Sequence, residues 1–130
     1  MNDVIINKIA TIERCIQRIN IVYSEVANNL ATDYTRQDSI ILNLQRACEA
    51  SIDLANYINK LKALGIPQSS RDAFELLLKA GLLPENVATS LKKMVGLRNI
   101  AVHDYQELNI DIEAVAKLRH SRFDPYIDCF

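Results

Sequence analysis

The sequence predicts an all-α fold, and three observations carry that prediction. Apolar residues recur at three- and four-residue intervals over long stretches, the period of a helix face. The chain holds only three glycines and three prolines, too few for the many tight turns of a β-rich fold. Its residues are 49% apolar and 24% charged, a globular balance. At 130 residues it reads as a single domain over positions 1–130, long enough to bury about two thirds of its unfolded surface. The expected architecture is a four- to five-helix up-and-down bundle.

Asn2 or Asp3 caps a first helix that runs to about Leu30. Its stripe Ile5, Ile9, Ile12, Ile16, Ile19, Tyr23, Val26, Leu30 alternates steps of four and three, a long packing seam. Val4, Ile6, Ile21 and Val22 lie off that seam and mark either a contact with another subunit or a wide core face. After a polar connection over Ala31 to Thr35, a second helix is expected from about Arg36 to Leu64, stopping at Gly65-Ile66-Pro67. Ile41, Leu44, Cys48, Ser51, Ala55 and Ile58 form its inward stripe. Arg46, Glu49 and Asp53 make a charged line beside it, ordinarily a solvated face, with Glu49 nearest the apolar side.

Ser69 or Ser70 caps a short third helix over Arg71 to Ala80, with Phe74, Leu77 and Leu78 inward and Gly81 as its stop. Pro84 suits the first turn of a fourth helix reaching about Tyr105. Asp111 caps a fifth through roughly Arg119, turning Ile112, Val115 and Leu118 inward, and the aromatic tail from Phe123 to Phe130 is expected to dock back.

Several classes are excluded. A net charge of -1 offers no global attraction for nucleic acid or an anionic membrane, so any RNA site must be a local patch or one assembled by two subunits. Cys15, Cys48 and Cys129 are odd in number, widely spaced and without a C-x-x-C pair, which suits small core hydrophobes in a reducing cytoplasm. The amino terminus has no basic segment ahead of a continuous apolar run, so it does not read as a signal peptide, and no stretch is apolar for long enough to span a bilayer.

The chemistry concentrates in Leu97-Arg98-Asn99-Ile100-Ala101-Val102-His103-Asp104-Tyr105. At about 100° per residue, Arg98 falls on the apolar stripe of Val87, Leu91, Met94 and Val95, with Tyr105 farther along. A guanidinium there needs a carboxylate, for which Glu49 is the natural partner, or a solvated cleft. His103 lies about 140° round, on a second stripe with Lys92, Gly96 and Asn99. A histidine moves protons near neutral pH, and an arginine clamps a phosphate and stabilises charge on its oxygens. Were the substrate RNA, its own 2′-hydroxyl would supply the nucleophile without a metal. No metal-ligand spacing, P-loop or nucleophile elbow is present. Arg98 and His103 diverge too widely for one protomer to enclose a phosphate easily, so a symmetric dimer is the economical solution. Gly96 would let the partner backbone approach, and Lys92 would add charge for an RNA backbone. Each residue also has a purely structural reading: His103 as a satisfied structural histidine, Arg98 as a core ion pair, Tyr105 as core. His120 reads as a surface residue without a role.

The run from Arg98 to Tyr105 closely resembles the R-x4-H-x-Y signature of HepT toxins, a branch of the HEPN superfamily. The resemblance covers essentially the whole chain: the long first helix, the second helix through Ile41 to Ala50, the signature late in the fourth and a short C-terminal helix. It implies a HEPN-like, cofactor-free, metal-independent endoribonuclease, homodimeric, with its site in the cleft between subunits. By motif position Arg98 and His103 are the implied catalytic pair and Asn99 a polar helper. The implied partner is an MntA-like nucleotidyltransferase antitoxin that transfers AMP from ATP to Tyr105. Bulky phosphates beside Arg98 would obstruct the cleft and compete for the charge RNA needs. The alternative is a non-catalytic helical module that binds nucleotide or RNA and partners a nucleotidyltransferase.

Overall fold

The computed structural model describes residues 2–26, 30–104 and 116–130. Among them are five α-helices and no strand: α1 (Asp3–Val26), α2 (Tyr34–Leu61), α3 (Ser70–Lys79), α4 (Glu85–Asp104) and α5 (Arg119–Asp128), with a 3-10 turn at Leu30–Thr32.

Asn2 caps α1, its Oδ1 accepting from the Val4 N–H at 2.7 Å. Ile12, Ile16 and Ile19 of the expected seam are buried and Cys15 joins them, while Ile5, Ile9 and Tyr23 are half-buried against the core. The off-seam residues Val4, Ile6 and Ile21 are 38%, 45% and 49% exposed, so within one chain they do not widen the core. Val22 is half-buried. Three contacts fix α1 antiparallel to α2. Asn2 Nδ2 donates to Tyr57 Oη at 2.6 Å, Lys8 meets Asp53 at 3.3 Å, and at the other end Glu25 meets Arg36 at 3.0 Å.

Helix α2 is central, packing on α1, α3 and α4. All six residues of its expected stripe are buried, and Ile40, Ala47 and Leu54 are buried beside them because helices cover it on several sides. It starts two residues earlier than expected, because Asp33 accepts from the Arg36 N–H at 3.1 Å as a side-chain cap. It also ends at Leu61 rather than Leu64. The Leu64 N–H bonds back to Asn59 O at 2.9 Å and the Ala63 N–H to Lys60 O at 3.3 Å, a Schellman closure with Ala63 in the left-handed position at φ 52°. An L side chain is disfavoured there, and nothing about an alanine announces that role. Ala63→Gly is therefore expected to raise unfolding stability by about 0.5–1 kcal/mol, read as a higher midpoint in urea with an unchanged slope.

Ser69 caps α3, its hydroxyl accepting from the Asp72 N–H at 3.1 Å, while Asp72 accepts from the Gln68 N–H at 2.8 Å. Gly81 ends it at φ 76°, with Leu82 N–H to Leu77 O and Gly81 N–H to Leu78 O completing the closure. Phe74 and Leu77 are buried. Pro84 stands just before α4, its carbonyl accepting from the Ala88 N–H at 3.1 Å.

The C-terminal region departs from expectation. The expected helix from Asp111 begins outside the described residues, as do Ile112 and Val115. The tail expected only to dock is itself helix α5, with Phe123 and Tyr126 buried. Pro125 inside the helix argues against such a reading of the sequence, since a proline there costs about 3 kcal/mol. Burying two aromatic rings outweighs it. Tyr126 stacks edge-on against Phe74 at 5.8 Å and Phe130 at 5.3 Å, and its hydroxyl donates to Ser51 O at 2.9 Å.

Candidate active site

The apolar stripe of α4, with Val87, Leu91, Met94 and Val95 buried, directs this face onto α2. Arg98 comes one turn after Met94, where the stripe reaches the edge of the core. It lines a small, mostly apolar cleft together with Ile41, Leu44, Gln45, Met94 and Leu97. Its Nη1 donates to Glu49 Oε1 on α2 at 2.8 Å, with the side chains 21% and 46% exposed. The pair is thus half-open rather than sealed in the core. The Nε of Arg98 is buried without a hydrogen-bond partner among the described residues. A buried donor without an acceptor is costly, and an anionic oxygen would satisfy it.

Cys48 adjoins this pair. Burial pushes its thiol up to about 12, against the pull of Arg98, so the thiol stays protonated and is no nucleophile. Asn99 is exposed beside Arg98. His103 lies in the last turns of α4, five residues beyond Arg98, but its side chain lies outside the described residues, as does Tyr105 altogether.

Two residues of the second stripe meet neighbours of their own chain. The Lys92 ammonium pairs with Glu75 on α3, and that hydrogen bond is the main cause of the Glu75 carboxyl being held below its usual range. The space above Gly96, expected to admit a partner backbone, is occupied by Arg71. A Cβ at Gly96 would come within 2.8 Å of Arg71 Nη2, and Arg71 Nε donates to Lys92 O at 3.3 Å. Sequence reasoning missed Arg71 because only the packing of α3 on α4 brings it there. His120 is exposed, as expected, with Nδ1 2.9 Å from Asp124 and Nε2 3.1 Å from Asn20 Oδ1.

Among the described residues no three His, Cys, Asp or Glu side chains are grouped to hold a metal ion, and no helix is long and apolar enough to cross a membrane. Cys15, Cys48 and Cys129 are free, the first two buried and the third only partly so.

An up-and-down helical bundle with a half-open arginine on its fourth helix and a histidine five residues on is the HEPN class of helical domain. The family model described as ribonuclease HepT-like matches residues 12–124, and the chain belongs to that family. It is 59% identical over 129 residues to the mRNA nuclease HepT of Shewanella oneidensis, covering 98% of this chain and 96% of that one. The fold matches a solved structure of the tri-AMPylated Shewanella oneidensis HEPN toxin in complex with MNT antitoxin, with a TM-score of 0.92 and 58% identity over 99% of this chain and 97% of that one. A toxin–antitoxin structure with AMP-PNP matches at a TM-score of 0.92 and 57% identity, covering 99% of this chain and 98% of the other.

Proposed function

We propose that this chain is the toxin of a toxin–antitoxin pair, a metal-independent endoribonuclease that acts as a homodimer in the cytoplasm and is neutralised by a nucleotidyltransferase. The observation that carries the reading is Arg98: a guanidinium braced by Glu49 at 2.8 Å, with a buried and unpartnered Nε, inside the motif of a ribonuclease family.

In this reading Arg98 holds the scissile phosphate and offsets the charge that grows on its non-bridging oxygens. The 2′-hydroxyl of the RNA attacks the neighbouring phosphorus, its proton leaves to a base, and the 5′-oxygen departs with a proton. The products are a 2′,3′-cyclic phosphate and a 5′-hydroxyl. His103 of the two protomers supplies the proton traffic. Asn99 assists as a polar group, and Glu49 is a positioning residue that fixes the guanidinium. Lys92, engaged by Glu75, reaches RNA only by exchanging that partner. Tyr105 accepts AMP from ATP with release of pyrophosphate, and the added phosphates compete with RNA for Arg98. The AMPylated state and MNT partner of the solved Shewanella oneidensis relative support this part.

The test combines two measurements. Purified, unmodified protein is expected to cleave RNA in EDTA and leave a 2′,3′-cyclic phosphate end. Incubation with the nucleotidyltransferase and ATP is expected to add mass in multiples of AMP and stop cleavage, with both effects lost in Tyr105→Phe. Complex formation without cleavage by the unmodified protein would favour a non-catalytic binding module instead. An unchanged mass shift in Tyr105→Phe would place the modification elsewhere.

A further inference from the structure

The antiparallel packing of α1 on α2 leaves a groove of about 410 Å³ on the outer side of the pair, lined among others by Arg14 and Arg18 from α1 and by Arg46, Asn43 and Glu49 from α2. Its two carboxylates are already engaged: Asp53 with Lys8 at 3.3 Å and Glu49 with Arg98 at 2.8 Å. Arg14, Arg18 and Arg46 are exposed and carry no ion pair among the described residues. The uncompensated charge of the groove is therefore positive, although the chain as a whole carries -1. The three arginines line the same groove, two from α1 and one from α2. All of them pull down the pKa of the Cys15 thiol in the groove wall, although burial has the larger effect and raises it. Asn43 in the wall is 4% exposed, and its Oδ1 has no hydrogen-bond partner among the described residues.

We infer that this groove binds the backbone of the RNA strand beyond the cleavage point, with Arg14, Arg18 and Arg46 each meeting a phosphate. The inference rests on the ribonuclease reading above. Two features select a nucleic-acid backbone over an acidic protein surface. Arg14 and Arg18 repeat at one helical turn, about 6 Å along the axis, a ladder that suits successive phosphates of an extended strand. Glu49 belongs both to the groove and to the Arg98 pair, so a strand lying in the groove runs directly to the arginine of the motif. An unpartnered amide oxygen in the wall gives a ribose hydroxyl or a base amino group something to bond.

The experiment uses the full chain and a fluorescein-labelled single-stranded RNA 12-mer, with anisotropy read in the His103→Ala background so that the probe survives. Combining Arg14→Gln, Arg18→Gln and Arg46→Gln is expected to raise Kd about tenfold or more and to lower the slope of log Kobs against log salt by about two. Replacing the same three by lysine is expected to keep the slope. With His103 intact, the glutamine triple variant should raise KM for the 12-mer while leaving kcat on a dinucleotide unchanged. If the variant binds the 12-mer with the same Kd and slope, the groove assignment is overturned. It is equally overturned if RNA binding is unchanged and complex formation with the nucleotidyltransferase is lost, which would mark a protein-docking face. If the unaltered protein neither binds nor cleaves RNA, the ribonuclease reading itself fails, and the groove assignment with it.

Discussion

Arg98→Ala is expected to reduce RNA cleavage by roughly 10²–10³-fold or more while the protein remains folded, as judged by circular dichroism and a thermal midpoint within a few degrees of the parent. The two halves of that expectation have separate causes. Charge builds on the phosphate oxygens only as the reaction proceeds, so a guanidinium aimed at them acts on the barrier rather than on binding alone. The fold is spared because the Arg98–Glu49 pair is open to water, with Glu49 46% exposed. Open pairs contribute about 1 kcal/mol or less, and Glu49 left behind is hydrated rather than stranded. Cleavage at parental rate in this variant would remove Arg98 from the mechanism. A collapse of the thermal midpoint would make it a structural residue.

Tyr126→Ala is expected to cost about 3–5 kcal/mol in urea unfolding, a large share of the 5–15 kcal/mol available to a domain of this kind. Tyr126 is fully buried, packs edge-on against Phe74 of α3 and Phe130, and donates to the Ser51 carbonyl of α2. One side chain thus ties α5 to two helices. Tyr126→Phe keeps the ring and leaves the Ser51 carbonyl without that donor, so a smaller loss of about 1–3 kcal/mol is expected. A loss below 1 kcal/mol for the alanine variant would show that α5 contributes little to the folded state.

Much of the candidate site was legible because it follows from helical spacing. Arg98 lies on an apolar stripe, Glu49 lies at the apolar edge of its own line, and the two stripes meet when α4 packs on α2. The neighbours of Lys92 and Gly96 were not legible. Their stripe reads as open surface until α3 folds across it and delivers Glu75 and Arg71. Nor was the α1–α2 groove, whose arginines are ordinary surface residues until the antiparallel register sets Arg46 beside Arg14 and Arg18.

Composition and periodicity alone were enough to specify a helical bundle, its main stripes, the stop at Gly81 and, to within one residue, the caps that the structure places at Asn2 and Ser69, because each depends on residues within about one turn of one another. Packing alone decided that Ala63 takes a left-handed turn and that the segment around Pro125 becomes a helix. In both places local preference points the other way: at Ala63 the helix-closing bonds of Leu64 and Ala63 and the packing of Leu64 on the core outweigh it, and at Pro125 the contacts of Tyr126 with Phe74 and Ser51 do.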